Sequence, residues 1–302
     1  MATPYLTPQQ LRDAPTGISW KTLPSFNSTV AQQEAAQTDI CWRASADIDE
    51  YCNQVLRATI NSEDIEGPDF RVTIRPNGVA RVVPSQWFLL GITSVQVAQA
   101  ATFPASYTTL AADQYRISRR MSGATGVGVA AGQGVGPSEI MIAPGWLGWD
   151  SGRYGYLITI EYTSGWPHAG LTADAAAAAT SIEVDDCTGW ALNGLSTVAM
   201  IFDGSETEQV TVTAASASSG PGTLTLAAGL ANAHVAGVLV TTLPASIQES
   251  AIYFAMAQAL QQGATATAVP VMPGGQQQQA GPTIASLRKA AQANLNVYRR
   301  VI

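Results

Sequence analysis

Between Thr172 and Thr242 the chain carries seven acidic residues, Asp174, Glu183, Asp185, Asp186, Asp203, Glu206 and Glu208, and neither Lys nor Arg. The whole chain has 22 acids and 15 bases, so the remainder holds 15 of each. All of the formal charge of −7 therefore lies within these 71 residues. A charge balance that changes so abruptly reads as a module boundary. Residues 172–242 are expected to be an acidic module inserted into a near-neutral body formed by 1–171 plus 243–263. Five short runs in the insert read as strands: Ser181–Val184, Val198–Phe202, Glu208–Thr213, Thr223–Leu226 and Val238–Thr242. Gly, Asp and Ser turns separate them, as in a small barrel or sandwich.

The body opens with helix signals. Thr7-Pro8 places a capping residue before a Pro at the first helical position, predicting a short helix over Gln9–Ala14. Thr29 and Gln32 have capping-box spacing and start a longer helix running to about Leu56. Its apolar stripe is Cys41, Ala44, Ile48, Tyr51, Cys52 and Val55. After Gly67-Pro68 the period changes to two. Phe70, Val72 and Ile74 alternate, Pro76-Asn77-Gly78 turns the chain, and Val79–Val83 returns as a hairpin. Ile92–Val97, the pair Ile140 and Ile142, and the alternating Tyr156, Ile158, Ile160 and Tyr162 predict three more strands. Between them Gly123, Gly126, Gly128, Gly132, Gly134 and Gly136 break any regular element, so Met121–Pro137 reads as a long loop that becomes ordered against a partner.

Helix returns after Pro244, with Ser246 and Glu249 at capping-box spacing and Gly263 as its stop. Apolar residues cover this helix nearly all round, which predicts deep burial. Residues 264–282, with the run Gln276–Gln279, read as a flexible linker. Ile284, Leu287, Ala291, Leu295, Tyr298 and Ile302 then form a last helical stripe, accompanied by Arg288, Lys289, Arg299 and Arg300 and by no acid. A basic amphipathic helix on a tether is expected to dock onto a partner. The fold class expected from these elements is α+β: a helical core from both ends of the chain, an antiparallel β region and an inserted all-β module.

Charged residues make up only 12% of the chain, about half the usual share, which fits a subunit that hides much of its surface. The acidic balance excludes a dedicated nucleic-acid binder, although not a surface past which DNA slides. The start MATPYLTPQQ lacks the features of a signal peptide, and no apolar run approaches the ~18 residues of a membrane helix. Cys41 and Cys52 fall about 16 Å apart along one helix, too far for a disulfide. Both, with Cys187, are expected as free buried thiols.

The search for chemistry returns little. His168 and His234 have no metal-ligand spacing and read as hydrogen-bonded structural residues. Asp203, Glu206 and Glu208 flank a turn but lack the alternating pattern of a calcium loop, and read as a solvated turn. Asp185 and Asp186 are adjacent, so in a strand they face opposite ways. Gly126–Ala131 fits a loose G-x-G-x-x-A pattern in which the following glycines forbid the required helix. Trp146, Trp149 and Trp166 read as residues that pin their own loops. No catalytic group, cofactor site or metal site is expected.

In this order of elements, several stretches resemble head-to-tail adaptor (head-completion connector) proteins of long-tailed bacteriophages. Ser45–Gln54 with Leu56–Thr59 is similar to their first core helix, Thr16–Ile18 to its leader, and Glu161-Tyr162-Thr163-Ser164-Gly165-Trp166-Pro167 to their Tyr-x-x-Gly-[Trp/Tyr]-Pro strand end. Asp203–Glu208 with Ala233–Gly237 resembles a β module inserted in many phage structural proteins. The resemblance implies a non-enzymatic ring of twelve subunits under the portal of the filled capsid, joining it to the next connector or tail protein around the DNA channel, assembled in the host cytoplasm. It implies portal docking by 283–302 through Ile284, Leu287, Arg288, Lys289, Leu295, Tyr298, Arg299, Arg300 and Ile302. Smaller relatives lack an insert like 172–242. Two other readings stand beside it: a carbohydrate-binding or adhesin-like module, from the β insert and loop tryptophans, and a hydrolase using Asp203, Glu206 or Glu208.

Overall fold

Two threonines set the N-terminal helices. Thr7 and Thr29 each accept a hydrogen bond from the backbone N–H three residues on, while Gln10 and Gln32 reach back to the cap N–H. The resulting helices are α1, Pro8–Asp13, and α2, Val30–Cys52. The computed structural model describes residues 3–20, 23, 28–67, 69–99, 105–119, 138–147, 155–264 and 283–300. Helix α2 stops earlier than its apolar spacing predicts. Asn53 turns left-handed (φ 56°) and sends its N–H back to Glu50, so Val55 and Leu56 lie beyond the helix. Asn tolerates this conformation because its side chain can bond locally.

The protein is α+β, as expected. Strands β1 (Thr59–Glu66), β8 (Tyr156–Ser164), β4 (Leu89–Gln99) and β5 (Thr108–Thr109) form one antiparallel sheet in that order. Strands β2 (Val72–Ile74), β3 (Ala80–Val82), β7 (Ser138–Ile142) and β6 (Tyr115–Arg119) form a second. The period-two face of β8 lies inward, with Tyr156, Ile158, Ile160 and Tyr162 all buried, in the core it shares with Ile140 and Ile142. The predicted hairpin forms around Gly78 (φ +79°), but Phe70 is not on its apolar face. Phe70 sits in the preceding turn and is 87% exposed, because Asp69 and Arg71 fold back on each other there.

The insert is a six-stranded antiparallel sheet, ordered β10 (Ser181–Val184), β13 (Gly222–Leu226), β12 (Glu208–Ala215), β11 (Thr197–Phe202), β14 (Leu239–Thr241) and β9 (His168–Gly170). The first strand closes on the last: Leu171 bridges Val184, Asp185 donates its N–H to the Gly170 carbonyl, and Thr172 donates to Glu183. The sheet is thus a small barrel with its own core, including Val184, Trp190, Ile201, Val212, Leu224 and Val240. It recruits β9, which precedes the boundary expected at Thr172. The charge pattern misses this strand because His-Ala-Gly adds nothing to the formal charge at neutral pH.

The chain then enters α3, Ala245–Gln261, whose buried residues include Ile247, Ser250, Ala251, Phe254 and Ala255. The Ser246–Glu249 capping box is not formed. Pro244 occupies the cap and its carbonyl receives the Ile247 N–H, while the Ser246 hydroxyl lies 2.9 Å from that of Tyr298. Gly263 (φ +89°) ends the helix as its spacing predicts. The last helix, α4, Ile284–Leu295, starts with a Thr283–Ser286 capping box and continues into a 3-10 turn, Asn296–Tyr298.

Candidate functional site

The predicted docking stripe is already occupied by its own chain. Leu287, Ala291, Leu295 and Tyr298 are buried against α3 and α2, in one core with Ile48, Ile247, Ala251 and Phe254, and Ile284 packs at its edge. Burying a large apolar side chain contributes roughly 1.5–3 kcal/mol, so this seat holds the helix firmly. Polar contacts add to it. Ser250 donates to the Ala291 carbonyl at 3.2 Å, Gln54 to the Tyr298 carbonyl at 2.7 Å, and Arg300 N–H to the Cys52 carbonyl at 3.0 Å. The expectation that the stripe needs a separate partner is therefore corrected: α2 and α3 supply the apolar wall. Lys289 and Arg299 stay exposed, with the Arg299 guanidinium 5.2 Å from the Tyr51 ring centre, while Arg288 and Arg300 are half-buried. Ile302 lies outside the described residues, as do Trp149 and the glycine-rich stretch with Gly123, Gly126, Gly128, Gly132, Gly134 and Gly136.

Trp166 stands where the helical core, the first sheet and the barrel meet. It is 4% exposed, its ring 4.3 Å from that of Phe88 and 5.5 Å, nearly perpendicular, from that of Tyr298. Its N–H and C=O bond to Leu56 and Ala58 in the linker after α2. Gly165 makes this crossing possible. Its φ is +93°, and a Cβ there would sit 2.3 Å from the Arg57 carbonyl oxygen. The Tyr-x-x-Gly-Trp-Pro stretch is thus a folding junction, and Trp166 pins its own strand end. Trp146 is partly buried against the core shared by the two four-stranded sheets.

Both histidines are hydrogen-bonded within the fold. His168 Nε2 donates to the Pro4 carbonyl at 2.9 Å, so Nδ1 accepts from the Thr241 hydroxyl at 2.8 Å. Burial pushes its pKa down to about 4. His234 lies between two carboxylates, with Nδ1 3.0 Å from Asp203 Oδ2 and Nε2 2.9 Å from Glu208 Oε1. Burial would raise the Glu208 pKa, but the N–H groups of Ala231 and Asn232 and the His234 ring outweigh it and hold the carboxyl below its usual range. This corrects the reading of Asp203, Glu206 and Glu208 as one solvated turn. Asp203 and Glu208 grip His234, and only Glu206 faces solvent. The sequence signal was a single His in an acid-rich module, but its separation of 31 and 26 residues from Asp203 and Glu208 hid the contact.

The insert's other acids have similar tasks. Asp174 accepts from Ala236 N–H, Asp185 from Gly170 N–H and the Thr3 hydroxyl, and Asp186 from Thr188 and Gly220 N–H. Five of the seven carboxylates therefore close loops, and only Glu183 and Glu206 do not. Among the described residues no group of three or more His, Cys, Asp or Glu is placed to hold a metal ion. The described cysteines are free and buried, and burial pushes Cys41 and Cys52 up to about 12. No helix of the described residues is long and apolar enough to cross a membrane.

A cleft of about 1000 Å³ separates α1 and α2 from the Asp203–Glu206 turn and the 235–238 loop. Asp13, Glu34, Asp203 and Glu206 line it, with Arg12 as the lining base. Comparison of the chain with protein-family models, with characterised proteins and with solved structures returns no match in any of the three.

Proposed function

We propose that the chain is a structural, non-catalytic adaptor that assembles into a ring, of twelve subunits by resemblance, beneath a phage portal. In this reading it extends the DNA channel and joins the capsid to the next connector or tail component. The observation that carries the reading is the junction at Trp166. The stretch that resembles the adaptor family's strand end is the point where N-terminal helix, sheet, inserted barrel and C-terminal helix interlock. The low share of charge supports it, since a ring subunit buries its lateral surfaces. A near-neutral body also favours DNA that slides over attachment to it.

The seated α4 changes one part of the expectation. Portal attachment cannot use the apolar stripe of 284–298 while the stripe stays in its own core, so the reading rests on ring assembly and not on a free docking helix. The hydrolase alternative loses ground because Asp203 and Glu208 are committed to His234. Native mass measurement and electron microscopy of the purified full chain, alone and with the portal from the same phage, test the proposal. Closed rings that cap the portal are expected; a chain that stays monomeric and ignores the portal ends it.

A further inference from the structure

The long helix α2 carries unlike charge beside its two ends. Near its start, Glu34 joins Asp13, Asp203 and Glu206 around the cleft. Arg12, the base on that lining, is turned onto Gln37 and Gln9, at 2.8 Å from each. Val235, 60% exposed, adds an uncovered apolar side chain to the same wall. Beside its far end, the turn after α4 presents exposed Arg299, half-buried Arg300 and the exposed apolar Val297; exposed Lys289 and half-buried Arg288 lie further back on α4, and these four bases outnumber the exposed acids there, Glu50 and Glu249, the second bonded to Asn294. Residues 283–302 contain no acid.

The two patches cannot satisfy each other within one subunit. The basic edge is fixed at Tyr51 and Cys52 by the Arg299–Tyr51 contact and the Arg300 N–H bond. Seventeen residues of α2 separate Glu34 from Tyr51, which is about 26 Å along the helix axis. That is roughly three Debye lengths at physiological salt, so neither patch screens the other.

We infer that the acidic cleft receives the basic α4 edge of a second copy of this chain. Each patch has charge and an exposed aliphatic side chain that match the other. Different patches at opposite ends of one rigid helix make a heterologous contact, which propagates from copy to copy and closes into a ring when the rotation per subunit allows. The contact supplies orientation and register more than area. The inference rests on the ring reading and names its lateral surface.

A charge swap in the full chain tests it. K289E/R299E and E34K/E206K alter exposed positions; E34K/E206K is expected to keep the wild-type melting temperature, and K289E/R299E to lower it by no more than about 3 °C through loss of the Arg299–Tyr51 contact. Each is expected to raise the protein concentration for half-assembly at least tenfold in analytical ultracentrifugation. Combining all four, or mixing the two double variants, is expected to restore assembly, and raised salt to weaken wild-type assembly. Should either reversal lower the melting temperature by more than this, K289Q/R299Q and E34Q/E206Q replace it, with the same loss expected. Wild-type rings with unchanged assembly of the folded variants, or folded reversals that the combination does not rescue, overturn this contact and leave the adaptor reading standing. A wild type that never assembles overturns both.

Discussion

The barrel and the helical core both join distant segments of chain, but by different forces. In the barrel, Asp186 takes N–H groups from Thr188 and Gly220, and Glu208 takes those of Ala231 and Asn232. In the helical core the comparable junction is the ring cluster of Phe88, Trp166 and Tyr298, closed by apolar area. The barrel has short strands and many loops, so many backbone N–H groups lie outside its ladder and need acceptors. Short carboxylates meet that need at about 1.5–3 kcal/mol per charged hydrogen bond. The lesson is that a strongly acidic segment need not be a charged surface. Here most of the charge is internal wiring.

The comparison can be broken most severely at its hinge. Gly165→Ala places a Cβ against the Arg57 carbonyl in a left-handed backbone. It is expected to cost about 4 kcal/mol or more, read as a collapse of the denaturant midpoint with both regions affected. Leu295→Ala removes a fully buried side chain from the helical core. A loss of about 3–4 kcal/mol is expected, with limited proteolysis cutting α4 first while the barrel resists. Equal protection of α4 in the variant would show that the seat is not what holds it.

His168 tests the seam between the two regions by pH. Its folded pKa lies below the unfolded value of about 6.5, so its stabilisation is complete above about 6.5. It is lost as pH falls towards about 4, on the order of 3 kcal/mol in total. Melting temperature against pH should fall across that window, and His168→Gln should flatten the slope. Asp186→Ala is expected to cost about 2 kcal/mol by leaving its N–H donors unpaired, seen as lowered amide-exchange protection around Thr188 and Gly220. Glu183→Gln sharpens the contrast, since this acid is exposed: its stability should stay within about 0.5 kcal/mol of wild type by chemical denaturation. A larger loss would mean the net charge itself matters.

Much of this fold was legible from residue spacing. The Thr-Pro helix start at Thr7, the capping box at Thr29, the alternation over Tyr156–Tyr162 and the strands of the insert depend on local pattern, which sequence carries directly. What remained hidden depends on contacts between remote positions. Ser246 has the right neighbour at the right distance for a cap, yet Tyr298, far along the chain, claims its hydroxyl. The last stripe was read correctly as a helical face, but no local signal says that α2 and α3 provide its wall. His234 and Asp203 are separated by two strands, so their pairing was invisible, as was the strand at His168–Gly170, too short to show a period.

The chain leaves the body at Pro167 and returns at Thr242, and there the Thr242 N–H and hydroxyl both reach the Pro167 carbonyl, at 2.9 and 3.1 Å. To the rest of the subunit the whole barrel is therefore equivalent to a tight hairpin bend. Such a doorway lets a complete cassette be exchanged without moving the two scaffold ends, provided the new one also meets Thr3 and Pro4 of the N-terminal segment.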